Sequence, residues 1–370
     1  MNLTRLLARP GLLLGQHLAI YRLFWLRLMV MLSCSTLASV ADAHIKWFKP
    51  YDISKPPKPI GDVLSQTFIL FFLGSVAFVY IFFLCDRYAY KKGYMVSFDE
   101  SLRFFDGMSI YIMRGAAGIF FVSLWAYGFF NHQMSYLTPE LKADSNWVLW
   151  LQLVIGLCAI SRFTTPLIGV GIVILYFAAI GQYGVYHLID YTIFLGIAYF
   201  FIATAIPIGG WKKSGFIVLY AITGICFLWI AMEKFAYPQW TYPLLAENPD
   251  LLLGMDPYPY MILAGFVEFV IVFLLLGAAS VVTRIIALGF QAIFVLAIFK
   301  FGLIDAVGHL MIIAILFVMI VRGPTDARNI LVLSTKSVQM EAYFMTGLYY
   351  LAFVNAFLLY YGLHYIFYGN

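Results

Sequence analysis

Charge is what this chain has least of. Asp, Glu, Lys and Arg make up 11% of its 370 residues, against about a quarter in water-soluble domains, which excludes an ordinary soluble fold. Cysteine is also scarce. Cys34, Cys85, Cys158 and Cys226 lie far apart with no CxxC pair, so the chain has no disulfide scaffold or thiol-pair motif, and the four read as small residues in apolar segments. A P-loop, a GxGxxG turn, GxSxG, HExxH and CxxCH are all missing, and with them the signatures of nucleotide binding, acyl-enzyme chemistry, zinc hydrolysis and haem attachment. The net charge of +5 is spread over short loops and forms no basic patch, so nucleic acid is not indicated as a partner.

Apolar residues are what is there: 63% of the chain is hydrophobic and the mean hydropathy is +0.90. Apolar runs fall at 64–85, 107–130, 147–161, 165–181, 190–208, 215–233, 260–277, 284–300, 303–321 and 343–366. Crossing about 30 Å of hydrocarbon takes roughly 20 residues, so the expected fold class is all-α, a polytopic transmembrane helical bundle of about ten spans with the lipid bilayer as its surroundings. Residues 1–43 carry Arg5, Arg9, Arg22 and Arg27 ahead of a short apolar run that closes on Ala41-Asp42-Ala43. That pattern reads as a signal peptide or, left uncleaved, a signal anchor. Residues 44–63 follow as an outside segment in which Pro50, Pro56, Pro57 and Pro59 favour extended or polyproline backbone. Trp47, Phe48 and Tyr51 are expected to hold it against the membrane surface.

With the N-terminus inside, the cytoplasmic loops collect fifteen Lys and Arg and the outer ones seven. This bias is the expected one for a bacterial-type inner, or plasma, membrane protein. An internal repeat is also visible. Arg162 and Arg284 are 122 residues apart, as are His187 and His309, and GIFFVSLWAYGFF from Gly118 resembles GICFLWIAMEKFA from Gly224. The expected organisation is an extra helix and loop at 64–106, a first four-helix unit at 107–208, a second at 209–324, and a loop with a C-terminal helix at 325–370, the two units being parallel repeats. The repeated arginines are expected to anchor turns at the cytoplasmic face.

A charge at the centre of a membrane helix costs about 3 kcal/mol on insertion scales, so the polar residues between apolar runs are the candidate site. They are Glu233, Lys234, Glu268, Lys300, Asp305 and His309. In the repeat alignment they face Tyr127, Gly128, Asn146, Ala178, Tyr183 and His187, which assigns the ionisable site to the second unit. Such a cluster either relays protons or holds a quinone head group by charge-assisted hydrogen bonds, or it forms Glu–Lys and Asp–Lys pairs that tie helices together. Glu268 lies deepest and is the strongest functional candidate. For a metal, His44, His132, His187 and His309 are weak candidates. Copper is disfavoured, since no HxH or HxxxH spacing supports it.

The stretch from Gly215 to Pro324, with EKF closing one helix, GFVEFVIVFLLLG forming the next and TRIIAL opening the third, resembles the DoxX-like family of four-helix membrane proteins. The 107–208 stretch is a weaker likeness. The resemblance implies a redox setting, either a quinone-linked oxidoreductase or a redox-complex subunit that acts on a small periplasmic reductant with a membrane or periplasmic redox partner. Quinone is then the implied cofactor. Glu268, Asp305 and His309 would be its catalytic groups, and Glu233, Lys234 and Lys300 its contacts to quinone or an anion. The alternative from the residues alone is a non-enzymatic scaffold or transporter with a structural or ion-carrying polar cluster.

Overall fold

The computed structural model describes residue 46 and residues 51–94, 96–208, 210–252, 254–278, 280–323 and 337–369. The signal or anchor segment 1–43, His44, Trp47, Phe48 and the whole of the 324–336 loop lie outside the described residues, as does the side chain of Lys300. Every one of the ten apolar stretches is helical: α1 (Gln66–Lys91), α2 (Ser109–Asn131), α3 (Trp147–Cys158), α4 (Thr165–Tyr183), α5 (Ile193–Ala205), α6 (Trp211–Ala236), α7 (Pro257–Gly277), α8 (Ser280–Phe301), α9 (Leu303–Arg322) and α10 (Val338–Tyr368). No strand forms among the described residues, only an isolated bridge between Ser135 and Lys142.

Among the described residues seven helices are long and apolar enough to cross a membrane, or eight if α5 and the short helical stretch Val185–Tyr191, bent by 62°, form one broken span. The chain is a multi-pass membrane protein. Among the described residues α3 is the shortest of the ten, with only 12 residues, about 18 Å of helix, whereas α8 runs for 22 residues. The local signals are ordinary ones. Ser65 and Ser337 cap α1 and α10 by accepting from the backbone N–H of Phe68 and Met340, both at 3.3 Å, α7 starts on Pro257, and Gly302, at φ +81°, lets α8 reverse into α9 across one residue.

Consecutive helices from α2 to α9 pack side by side, and α9 returns to α2, closing a ring. Outside it, α1 and α10 pack on each other and on α7, with α10 also reaching α6. An aromatic cluster of Phe68, Phe235, Phe266 and Phe353 fills that junction, with ring centroids 4.9–6.1 Å apart. Leu70, Leu73, Ile81, Leu358 and Ile366 remain exposed on the outward faces, where hydrocarbon would cover them.

The two ends of the ring differ. At one end buried arginines meet the last carbonyls of neighbouring helices, which have no intrahelical donor. Arg87 donates to Gly277 O at 2.7 Å, and Arg114 to the carbonyls of Ala159 and Ile160, both at 2.8 Å. Arg284 donates to Ile320 and Val321 O, and to Arg322 O at 3.2 Å. Gly323, at φ +76°, lies against that guanidinium, where a Cβ would come within 2.8 Å of Nη2. The anchoring role expected of Arg162 and Arg284 is therefore filled by Arg114 and Arg284. Arg162 sits exposed in the loop between α3 and α4, over the Phe163 ring. Arg87 and Lys91 also meet Glu341 of α10, at 3.7 and 2.8 Å. The opposite end carries the segment 51–63, a strap across the ring.

Candidate functional site

Extended, Pro-rich backbone makes few hydrogen bonds to itself, which leaves its carbonyls free for other donors. In the strap these are met by a row of side chains from the ring and α10. Lys55 O accepts from Tyr237 at 2.8 Å, Lys58 O from Tyr361 at 2.9 Å and Asp62 O from Tyr258 at 3.1 Å. Ile53 O lies 3.0 Å from His364 Nε2, which must therefore carry the proton. The backbone N–H of Lys58 donates to Ala236 O at 2.8 Å. Tyr51 is not the interfacial aromatic expected from the sequence. Its hydroxyl turns inward to bond Glu140 and lies 2.9 Å from His187 Nε2, while the same nitrogen lies 2.9 Å from Glu140 Oε1.

Just before the strap, Lys46 enters the ring. Its ammonium pairs with Asp190 Oδ2 and Glu233 Oε1, and the three side chains are only 6%, 5% and 12% exposed. Trp229 Nε1 donates to the other Asp190 oxygen at 2.9 Å, which fixes that carboxylate's orientation. The rings of Tyr51 and Trp240 both lie 5.3 Å from Lys46 Nζ, within cation–π range. Trp240 is itself stacked on Tyr237 at 4.0 Å. Burial pushes the Lys46 ammonium towards deprotonation, but the Asp190, Glu233 and Glu140 carboxylates outweigh it and hold its pKa well above the ordinary value of 10.5.

Below the ammonium a cavity of about 50 Å³ continues into the ring, room for a few water-sized groups. Phe194 of α5, Phe227 and Ile230 of α6, and Met311 and Ile312 of α9 line its apolar part. A separate apolar groove of about 410 Å³ opens between α1, α7 and α8, bounded by Phe71, Phe78, Phe266 and Phe290. Phe290 stacks on Phe227 at 5.9 Å, so these two rings stand between groove and cavity.

The sequence candidates fall into separate groups. Glu233 is in the Lys46 site. Lys234 also borders the cavity but pairs with Glu268 of α7 at 2.7 Å, both being buried. Asp305 and His309 pair along α9 at 3.0 Å, and His309 lies against Phe294, 4.6 Å between ring centroids. His187 belongs to the Glu140–Tyr51 group, and His132 is exposed at the left-handed end of α2. Among the described residues no three His, Cys, Asp or Glu side chains gather as metal ligands. The assignment of ionisable groups to the second unit alone is corrected by Asp190 and Glu140, both from the first.

Lys46, Asp190, Glu140 and Tyr51 are the site residues that sequence reasoning passed over. Asp190 had a signal, since it is as isolated between apolar runs as Glu233 and stands three residues after His187. Lys46 had none, because it resembles the other lysines of the 44–63 segment until the fold carries it inside. Two carboxylates around one ammonium leave a unit of negative charge in excess when all three are ionised. In an apolar surround that excess favours retention of a cation or uptake of a proton. No family model, curated protein or solved structure matches the chain.

Proposed function

We propose that the chain is a non-enzymatic membrane protein that binds and passes a small cation, the proton included, at the Asp190–Glu233 pair. The observation that carries this reading is the origin of the counter-ion. Glu268 is neutralised by a lysine of the helix bundle, fixed on α6, whereas Asp190 and Glu233 share the one ammonium of Lys46, which enters with a peripheral strap. A counter-ion carried on a segment outside the helix ring would be exchanged for another cation if that segment lifted while the ring helices stayed packed. The excess of basic residues in loops at the arginine end supports a cytoplasmic location for that end and an outer location for the strap. The order of helix packing, which is the same within α2–α5 and α6–α9, supports two tandem four-helix units. In liposomes carrying a pH-sensitive dye, the purified protein should pass protons or a monovalent cation, and Asp190→Asn with Glu233→Gln should remove that flux while the melting transition persists. Equal flux with and without the two carboxylates would overturn the reading.

The apolar groove favours a second reading. A membrane-soluble molecule with an apolar tail in the groove and its head beyond the Phe227–Phe290 stack fits the quinone-linked redox role that the DoxX-like resemblance implies. Solvent extraction of the purified protein followed by mass spectrometry tests it, and a stoichiometric quinone would give this reading precedence.

A further inference from the structure

We propose that the Asp190–Glu233 site takes a short primary alkylammonium ion, for which the Lys46 side chain is a tethered stand-in. The inference rests on the reading of this site as a cation site and names the class of cation. The site already holds a primary ammonium on an alkyl chain, and each part of that group has its own partner. Two N–H groups meet Asp190 Oδ2 and Glu233 Oε1. The charge lies over the ring of Trp240, which follows α6 in the turn Pro238–Trp240 and is not part of the strap. The apolar walls of Phe194, Phe227, Ile230 and Ile312 continue the cavity beyond the charge and suit methylene groups.

The same features disfavour other cations. Calcium takes six to eight oxygen ligands and magnesium six, whereas two carboxylates, aromatic faces and aliphatic walls supply far fewer. A quaternary ammonium would use the aromatic faces but has no N–H for the carboxylates. Among the described residues lining the cavity the other cation is Lys234, which is neutralised at 2.7 Å by Glu268, so it does not cancel the attraction of the pair.

A free amine must displace Lys46, and with it the docked strap, so wild-type affinity is reduced by the fraction of time the strap is docked. The test uses the full chain in mild detergent with n-butylammonium chloride as the probe, and sodium and tetramethylammonium chloride at equal ionic strength as controls. For the wild type, n-butylammonium should bind saturably in calorimetry and raise hydrogen exchange across residues 51–63, with neither control doing so. Lys46→Ala should bind n-butylammonium about tenfold more tightly or better, because the tethered competitor is gone. Where Lys46→Ala does not fold, Lys46→Gln replaces it, and the wild-type arm depends on neither. No saturable binding to the wild type, or an equal response to all three salts, overturns the proposal. If proton or sodium flux persists while n-butylammonium fails to bind, the ligand class falls and the cation reading survives. Loss of both removes the cation site altogether.

Discussion

The two ends of the ring handle buried positive charge in opposite ways. At the arginine end Arg87 is shared between Gly277 O and the Glu341 carboxylate, but Arg114 and Arg284 donate to backbone carbonyls at the ends of neighbouring helices. Those carbonyls are part of the backbone and cannot be released or titrated. At the strap end, Lys46 and Lys234 meet carboxylates, which bind protons and other cations. The first arrangement only holds helices together. The second holds them together and also leaves an exchangeable site, and Lys46 goes furthest because its own segment is peripheral.

Within the strap end the two lysines should separate most sharply on removal of a partner. Glu268→Gln leaves Lys234 buried without its counter-charge, a loss on the order of 3–5 kcal/mol. The double change Glu268→Met with Lys234→Met should recover most of it, since an apolar pair of similar volume has no desolvation penalty. Thermal melting in detergent reads both. A Gln variant that melts with the wild type would mean that the pair does not hold α6 to α7, and Glu268 would return to the list of functional acids.

Arg284→Met comes next, with a loss of about 2–3 kcal/mol, the worth of hydrogen bonds to a charged donor when buried acceptors are left behind. Arg284→Lys should recover only part of it, because an ammonium cannot reach three successive carbonyls as the planar fork does. Cation flux per folded molecule should be unchanged in both. A flux defect larger than the stability defect would show that the arginine end takes part in transport, and the contrast between the ends would be lost.

How much of this was legible in the sequence follows from the same contrast. The helices were legible because apolar length is a one-dimensional signal, and Glu233, Lys234, Glu268, Asp305 and His309 stood out against it. Span length was less so, since α3 stops at 12 residues where Arg114 takes up its last carbonyls, a contact 45 residues away in the chain. The partners were not legible. Nothing local distinguishes Lys46 from Lys49, and Arg114, though it falls inside an apolar run, carries no local sign of the helix end it meets. Each is assigned by which helix end or carboxylate the ring brings opposite it, and that depends on packing between distant segments.

Lys46→Met should cost less than either loss above, on the order of 1–2 kcal/mol, because one of the two carboxylates can take up a proton and share it with the other. Its larger effect should be local: strap residues 51–63 exchange faster while α6 and α7 do not. If the bundle loosens together with the strap, Lys46 is as integral as Lys234 and the distinction between fixed and borrowed counter-ions fails.

The smallest effect is an absence of change at alkaline pH. The folded-state pKa of Lys46 lies above its ordinary 10.5 because Asp190, Glu233 and Glu140 outweigh the opposing effect of burial. A cationic group with a raised folded pKa contributes its full stabilisation below the unfolded value and loses it only as pH rises through the folded one. Between neutral pH and about 10, below the ordinary lysine pKa, strap docking should therefore not weaken through Lys46. Acylation of amines reads this directly, since only the neutral amine reacts. At about pH 9–10 the exposed Lys212 and Lys213 should be modified quickly while Lys46 is spared, and Asp190→Asn with Glu233→Gln should remove that protection. Modification of Lys46 at the rate of Lys212 in the wild type would mean that the ammonium is not held between the two carboxylates, and the difference between the two ends of the ring would reduce to a difference in location.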